Sequence, residues 1–186
     1  VSRQAVSNWE NNKNLPDIGM LILMSNVFEV SLDELIKGEN QMNNNMTEKV
    51  VKIINASQNV AKDNYSSEID VTHVIKSMLN DEQSMLKNVL VRSSVNVNLF
   101  EQTVDGFINN KAKSSNIDNV YVSVDVNNLV KNAEKYMKSY GDKYISVEHL
   151  ILAIFDTKHT ILNQLLKIPN FEKKKIEKAI KEIRGA

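Results

Sequence analysis

Cysteine is absent from the 186-residue chain, which excludes disulfides, thiol chemistry and thiolate metal sites. Histidine is scarce, and three residues far apart in sequence, His73, His149 and His159, are thin material for a metal cluster. The five glycines include no Gly-x4-Gly-Lys-Ser/Thr loop, so no nucleotide-phosphate cradle is expected. There is also no serine in a glycine elbow, no His-Glu-x-x-His helix and no close acidic pair with reason to be perturbed. An enzyme assignment has no residues to stand on, and no cofactor is expected. No apolar run reaches the roughly 18 residues of a spanning helix, and the N-terminus has no basic-then-apolar signal pattern. The default address is the cytoplasm.

What is present is ordinary for a soluble globular chain: 42% hydrophobic and 25% charged residues, with 23 cations balancing 23 acids. The balance is uneven along the chain. Residues 1–40 carry three cations against six acids, residues 47–110 six against eight, and residues 111–186 fourteen against nine. A nucleic-acid binder usually shows more basic excess than the first segment does.

In that first segment Ser2 can cap a helix running from Arg3 to about Asn11, with Ala5, Val6 and Trp9 on one face and Arg3, Gln4, Ser7 and Asn8 on the other. Leu15-Pro16-Asp17 opens a second helix, whose buried side is expected to hold Leu21, Met24, Val27 and Phe28. Ser31-Leu32-Asp33-Glu34 reads as a capping box for a short helix that stops at Lys37-Gly38. The string SRQAVSNWENNKNLPDIGMLILMSNVFEVSLDEL resembles the second half of a Cro/XRE-type helix-turn-helix domain, from its recognition helix onward. The resemblance implies base contacts in the major groove by Arg3, Gln4, Ser7 and Asn8, with Ser2 and Lys13 placed for phosphates. It also implies dimers. The family's first two helices would precede Val1, so weak operator binding by this chain is the expectation.

An asparagine-rich linker, residues 39–46, separates this partial domain (1–38) from the rest. Residues 47–186 repeat internally. A shift of 76 residues lays Ile69-Asp70-Val71-Thr72-His73-Val74-Ile75 on Ile145-Ser146-Val147-Glu148-His149-Leu150-Ile151 without a gap. In the same frame Val50 meets Val126, Ile53 Leu129, Leu86 Leu162, Leu90 Leu166, Phe100 Ile176 and Val104 Ile180. Each copy, 47–110 and 123–186, reads as four helices. Asp70 and Ser146 are expected to cap the second helices, Asn96 and Asn170 to precede the fourth, and Gly141 to close a long one. Residues 111–122 read as an exposed connector. The predicted fold is all-α, about eight helices with pseudo-twofold symmetry behind a partial helix-turn-helix.

This region is similar over its whole length to the N-terminal domain of the Clp unfoldases, through Met46-Thr47-Glu48-Lys49, Ile145-Ser146-Val147-Glu148-His149-Leu150-Ile151-Leu152-Ala153 and Ile183-Arg184-Gly185. The resemblance implies a receptor for adaptors and unfolded clients, and in one branch of the family for phosphoarginine marks. Such a mark needs a helix N-terminus for its phosphate and a carboxylate for its guanidinium. Glu148 matches the family's carboxylate, with Ser123 at the matching helix start. In the first copy the equivalent is the uncharged Thr72, with Thr47 at the helix start, so at most one working pocket, centred on Glu148, is expected.

Plainer readings stand beside these. Glu148 suits a helix first turn without any ligand. His73 and His149, next to apolar residues, read as structural. The lysines of the last helix alternate with Glu172, Glu177 and Glu182 and read as a solvated face. Three functions compete: a helix-turn-helix transcription regulator with a Clp-like sensor, an adaptor or decoy in Clp-dependent proteolysis, and an N-terminal piece of a Clp ATPase.

Overall fold

The structure, a computed structural model, describes residues 2–10, 16–28, 45–115 and 120–185. The chain divides into two compact units, Val1–Asn44 and Asn45–Ala186.

In the first unit α1 spans Arg3–Glu10, and Ser2 Oγ accepts the Ala5 N–H at 3.2 Å, as a cap should. Helix α2 spans Ile18–Phe28, later than the sequence suggests. The Asp17 carboxylate accepts the Met20 N–H at 2.9 Å, so Asp17 caps the helix and Pro16 stays outside it. Leu21 and Met24 are half-buried, but Val27 is 75% exposed, against expectation. Six residues along a 3.6-residue turn place Val27 about 120° around the axis from Leu21, off the apolar stripe. Lys13, the 31–34 capping box, the stop at Lys37-Gly38 and most of the linker lie outside the described residues.

The second unit contains the duplication. Its helices are α3 (Glu48–Asp63), α4 (Val71–Asn80), α5 (Met85–Arg92), α6 (Val97–Asn109), α7 (Val124–Tyr140), α8 (Val147–Ala153), α9 (Thr160–Leu165) and α10 (Lys173–Arg184). Two short strands, β1 (Glu68–Ile69) and β2 (Tyr121–Val122), pair in parallel. Helix starts follow the sequence: Thr47 Oγ1 accepts from Val50, Asp70 Oδ1 from Thr72 and His73, Ser84 from Lys87, and Asn96 from Leu99. Gly141 closes α7 at φ 70°, where a side chain would be strained.

The shift of 76 reaches into the irregular backbone. Left-handed Tyr65 (φ 56°) is the counterpart of Gly141, and Ser94 (φ 57°) of Asn170 (φ 69°). Asn170 is therefore not a cap. Its amide donates to the Ser94 carbonyl at 2.9 Å, tying the two equivalent turns together, while Glu172 stands at the N-terminus of α10 as Asn96 does for α6. At one paired position the burial differs: Leu90 is buried but Leu166 is 41% exposed, because α9 ends at Leu165, the counterpart of buried Val89.

The copies interlock rather than sit side by side. Helix α5 packs on α8 and α10, and α9 on α6. Phe171 lies 5.1 Å from the Phe100 ring in an edge-on arrangement and 4.9 Å from Phe155. The strands cross over too. β1 of the first copy takes β2, which leads into the second copy, and Met46 bridges to Ile145. The connector thus contributes a strand that its polar composition does not announce, and Met46 is already part of the folded unit, 8% exposed.

Candidate functional site

The strand crossing decides which residues meet. The Thr47 N–H donates to the Ile145 carbonyl and the Ser123 N–H to that of Ile69, each at 2.9 Å. Thr47 therefore lies beside the helix start that carries Glu148, and Ser123 beside the one that carries Thr72. The pairing read within each copy is corrected by this exchange: Glu148 with Thr47, Thr72 with Ser123.

At the start of α4 the backbone donors are taken. Val71 N–H goes to Asp125 Oδ2 at 3.1 Å, and Thr72 N–H to Asp70 Oδ1 at 2.9 Å. Lys111 Nζ pairs with Asp70 Oδ2, and His159 Nε2 stands 3.8 Å from both Asp70 and Asp125. Thr72 is fully buried and Ser123 nearly so, and neither hydroxyl has a hydrogen-bond partner among the described residues. Burial pushes the Asp70 carboxyl up, yet contacts with His73 and Lys111 outweigh it and hold the group well below the usual carboxylate range. Lys111 is the permanent cation of the two. The His73 ring lies with Nδ1 at 3.1 Å from the Asp70 nitrogen, accepting its N–H.

The start of α8 is built differently. Here too the histidine at the third helical position turns back, and His149 Nδ1 accepts the Ser146 N–H at 3.0 Å. His73 and His149 thus fill the place that glutamate or glutamine holds in a capping box. That is a structural use. Burial lowers the His149 pKa despite the acids Glu148 and Asp142, and Nε2 is 3.0 Å from Asp142 Oδ2, off the line of the ring N–H. The N–H groups of Val147 and Glu148 meet no acceptor among the described residues.

Around Glu148 the structure gathers residues that sequence reasoning missed. Arg184 donates through Nη1 and Nη2 to the two Asp142 oxygens at 2.7 and 2.8 Å. Its Nη1 lies 3.5 Å from Glu148 Oε1, and its guanidinium carbon sits 5.2 Å above the Tyr140 ring. The Arg184 bond holds the Asp142 carboxyl below its ordinary value. In the sequence Arg184 stands out only within the terminal Ile183-Arg184-Gly185. Its distance from Asp142 along the chain, 42 residues, carries no periodic signal.

A cleft of about 440 Å³ opens at the start of α3, lined by Thr47, Lys49 and Lys52 but also by Glu48, Asp81 and Glu82. The guanidinium end of a phosphoarginine site is therefore better provided for than the phosphate end. On α1, Ser2, Arg3, Gln4 and Ser7 are exposed and Asn8 half-buried. Along α10, Lys173 pairs with Asp156 at 3.3 Å and leans over the Tyr136 ring, and Lys175 pairs with Glu172 at 2.9 Å, while Lys174, Lys178 and Lys181 are exposed. No group of acidic or histidine side chains among the described residues could hold a metal ion, and no described helix is long and apolar enough to cross a membrane.

Two interlocked four-helix repeats define a duplicated all-α domain. Residues 45–168 match the family profile of the Clp repeat (R) N-terminal domain, and the chain belongs to that family. Residues 1–35 match a helix-turn-helix profile. The chain is 29% identical over 143 residues to chaperone protein ClpB 1 of Nostoc sp., with 77% of this chain covered. It is 29% identical over 150 residues to ClpB of Staphylococcus aureus, with 76% covered. The match spans only 16% of the length of either relative. The Hsp104 N-terminal domain from Candida albicans superposes with a TM-score of 0.65 at 21% identity, covering 76% of this chain and 92% of that one, which establishes the fold.

Proposed function

We propose that this protein is a non-catalytic receptor of the Clp type, working in the cytoplasm, whose second unit captures client or adaptor proteins at the α8 start. The observation that carries the reading is the Clp N-terminal match over residues 45–168, which covers the first repeat and the second as far as the end of α9. Glu148 supplies a carboxylate for a guanidinium, and the adjoining helix start at Thr47 supplies backbone donors for an attached phosphate. The relatives are chaperones much longer than the match, so the reading as the N-terminal receptor of a Clp ATPase, or as an adaptor built from that receptor, is better supported than the reading as a regulator. Titrating the full chain with an arginine-phosphorylated protein, its unphosphorylated form and a denatured protein tests it. Glu148→Ala is expected to weaken binding of the phosphorylated form about tenfold, the worth of one charge-assisted pair; unchanged affinity of Glu148→Ala for the phosphorylated form would sink the assignment of Glu148.

A second reading, a transcription regulator that couples a Clp-type sensor to DNA, is favoured by the helix-turn-helix match at residues 1–35 and the exposed Arg3, Gln4 and Ser7 on α1. Base contacts would come from Arg3, Gln4, Ser7 and Asn8, with the protein acting as a dimer on paired half-sites. Selection from random duplexes followed by gel shift decides it: an enriched sequence that Arg3→Ala no longer retards supports the regulator.

A further inference from the structure

Glu148 already faces a guanidinium, and it belongs to the chain itself. Arg184 makes a two-pronged pair with Asp142, reaches to 3.5 Å from Glu148 and stacks over Tyr140. A planar fork, two carboxylates and an aromatic face are what recognition of an incoming arginine side chain requires. We propose that Arg184 is the internal occupant of a guanidinium seat formed by Asp142, Glu148 and Tyr140, and that an arginine-bearing ligand enters by displacing it. The proposal rests on the receptor reading above and adds how its site is closed.

Two features favour exchange over a permanent brace, and a third sets the ligand class. The Arg184 and Glu148 side chains keep 30% and 19% of their surface exposed, so a ligand reaches the seat from solvent. Arg184 is the last residue of α10, followed by Gly185 in the left-handed conformation at φ 75°; a terminal turn opens at far less cost than a helix interior. The seat also demands a guanidinium, since a lysine ammonium cannot make the two parallel bonds to Asp142. The ligand class is therefore an arginine or modified-arginine side chain, not basic residues at large.

Chemical rescue tests the seat without any client. The melting temperatures of the full chain, Arg184→Ala and the double variant Arg184→Ala/Asp142→Asn are compared in ethylguanidinium and in ethylammonium chloride at equal ionic strength. Arg184→Ala should melt about 2 °C higher in ethylguanidinium than in ethylammonium, while the parent chain and the double variant show no such gain. Equal response to the two salts overturns the proposal. In a second arm an arginine-phosphorylated peptide should bind Arg184→Ala about fivefold tighter than the parent, because the competent state is no longer occupied. Weaker binding by Arg184→Ala overturns internal occupancy and makes Arg184 a ligand contact. A peptide that binds neither chain defeats the receptor reading, and the salt comparison still decides the seat.

Discussion

The two helix starts at Asp70 and Ser146 occupy equivalent places in a duplicated fold and handle charge in opposite ways. At α4 the carboxylate sits in the capping residue itself, and Asp125 and Lys111 complete a plug that leaves Thr72 buried. At α8 the cap is an uncharged serine, the carboxylate has moved two residues on to Glu148, and it reaches solvent beside Arg184. Duplication supplied two geometries of the same kind. The place of one carboxylate makes one start a closed lock and leaves the other partly open to solvent. The histidine at the third position is common to both because it serves the backbone, whichever way the charge is arranged.

The most forceful way to break this contrast is to move the carboxylate back. Thr72→Glu would place an ionised side chain where Thr72 has no solvent access, close to the Asp70 carboxylate. Burying an unpaired charge costs several kcal/mol, so a loss of about 4 kcal/mol or outright failure to fold is expected in urea titration. Glu148→Thr, the reverse exchange, should cost less than about 1 kcal/mol, because its ion pair is partly exposed. Similar losses for both would show that the two starts are not different environments.

Next in size is the lock itself. Asp70 accepts two backbone N–H groups and pairs with Lys111 at 2% exposure. Asp70→Ala removes the cap and leaves Lys111 only the longer contact to Glu68 at 3.8 Å, for an expected loss of about 3 kcal/mol. Ser146→Ala should cost about 1 kcal/mol or less. Chemical denaturation of the two variants side by side measures the difference. Equal costs would mean that the plug contributes nothing beyond an ordinary cap.

Much of this architecture was legible in the chain. Helix periodicity and the 76-residue frame announced the repeats, and the frame held even for the left-handed turns at Ser94 and Asn170. The site was less legible, for a specific reason. Sequence reasoning assembled each pocket from one copy, whereas the strand exchange at Met46–Ile145 and Ile69–Val122 brings together residues from opposite copies. Nothing in hydrophobic spacing reports which strand crosses. Arg184 and Asp142 were missed likewise, since a fork between residues far apart in sequence has no local signature. Thr72 is merely uncharged in the sequence, and only the fold shows that it is fully buried.

The smallest effect concerns pH and separates the two starts by where they titrate. Burial lowers the His149 pKa below its ordinary 6.5 in the folded protein. The unfolded chain then binds more protons as pH falls through that value, so the stability held by the neutral ring is complete above about pH 7 and declines as the solution is acidified. The Asp70 contribution follows another window. Its carboxyl is depressed in the fold, so its share persists down to the carboxylate range and is lost only below about pH 4. Between pH 7.5 and 5.5 the chain should lose stability through His149 as the unfolded chain takes up its proton. His149→Asn keeps an acceptor for the Ser146 N–H but cannot titrate, and it should flatten that slope while leaving the steeper fall below pH 4. A variant whose slope between 7.5 and 5.5 is unchanged would mean that the ring is not held neutral by the fold, and that the α8 start tolerates a charged histidine between Glu148 and Asp142.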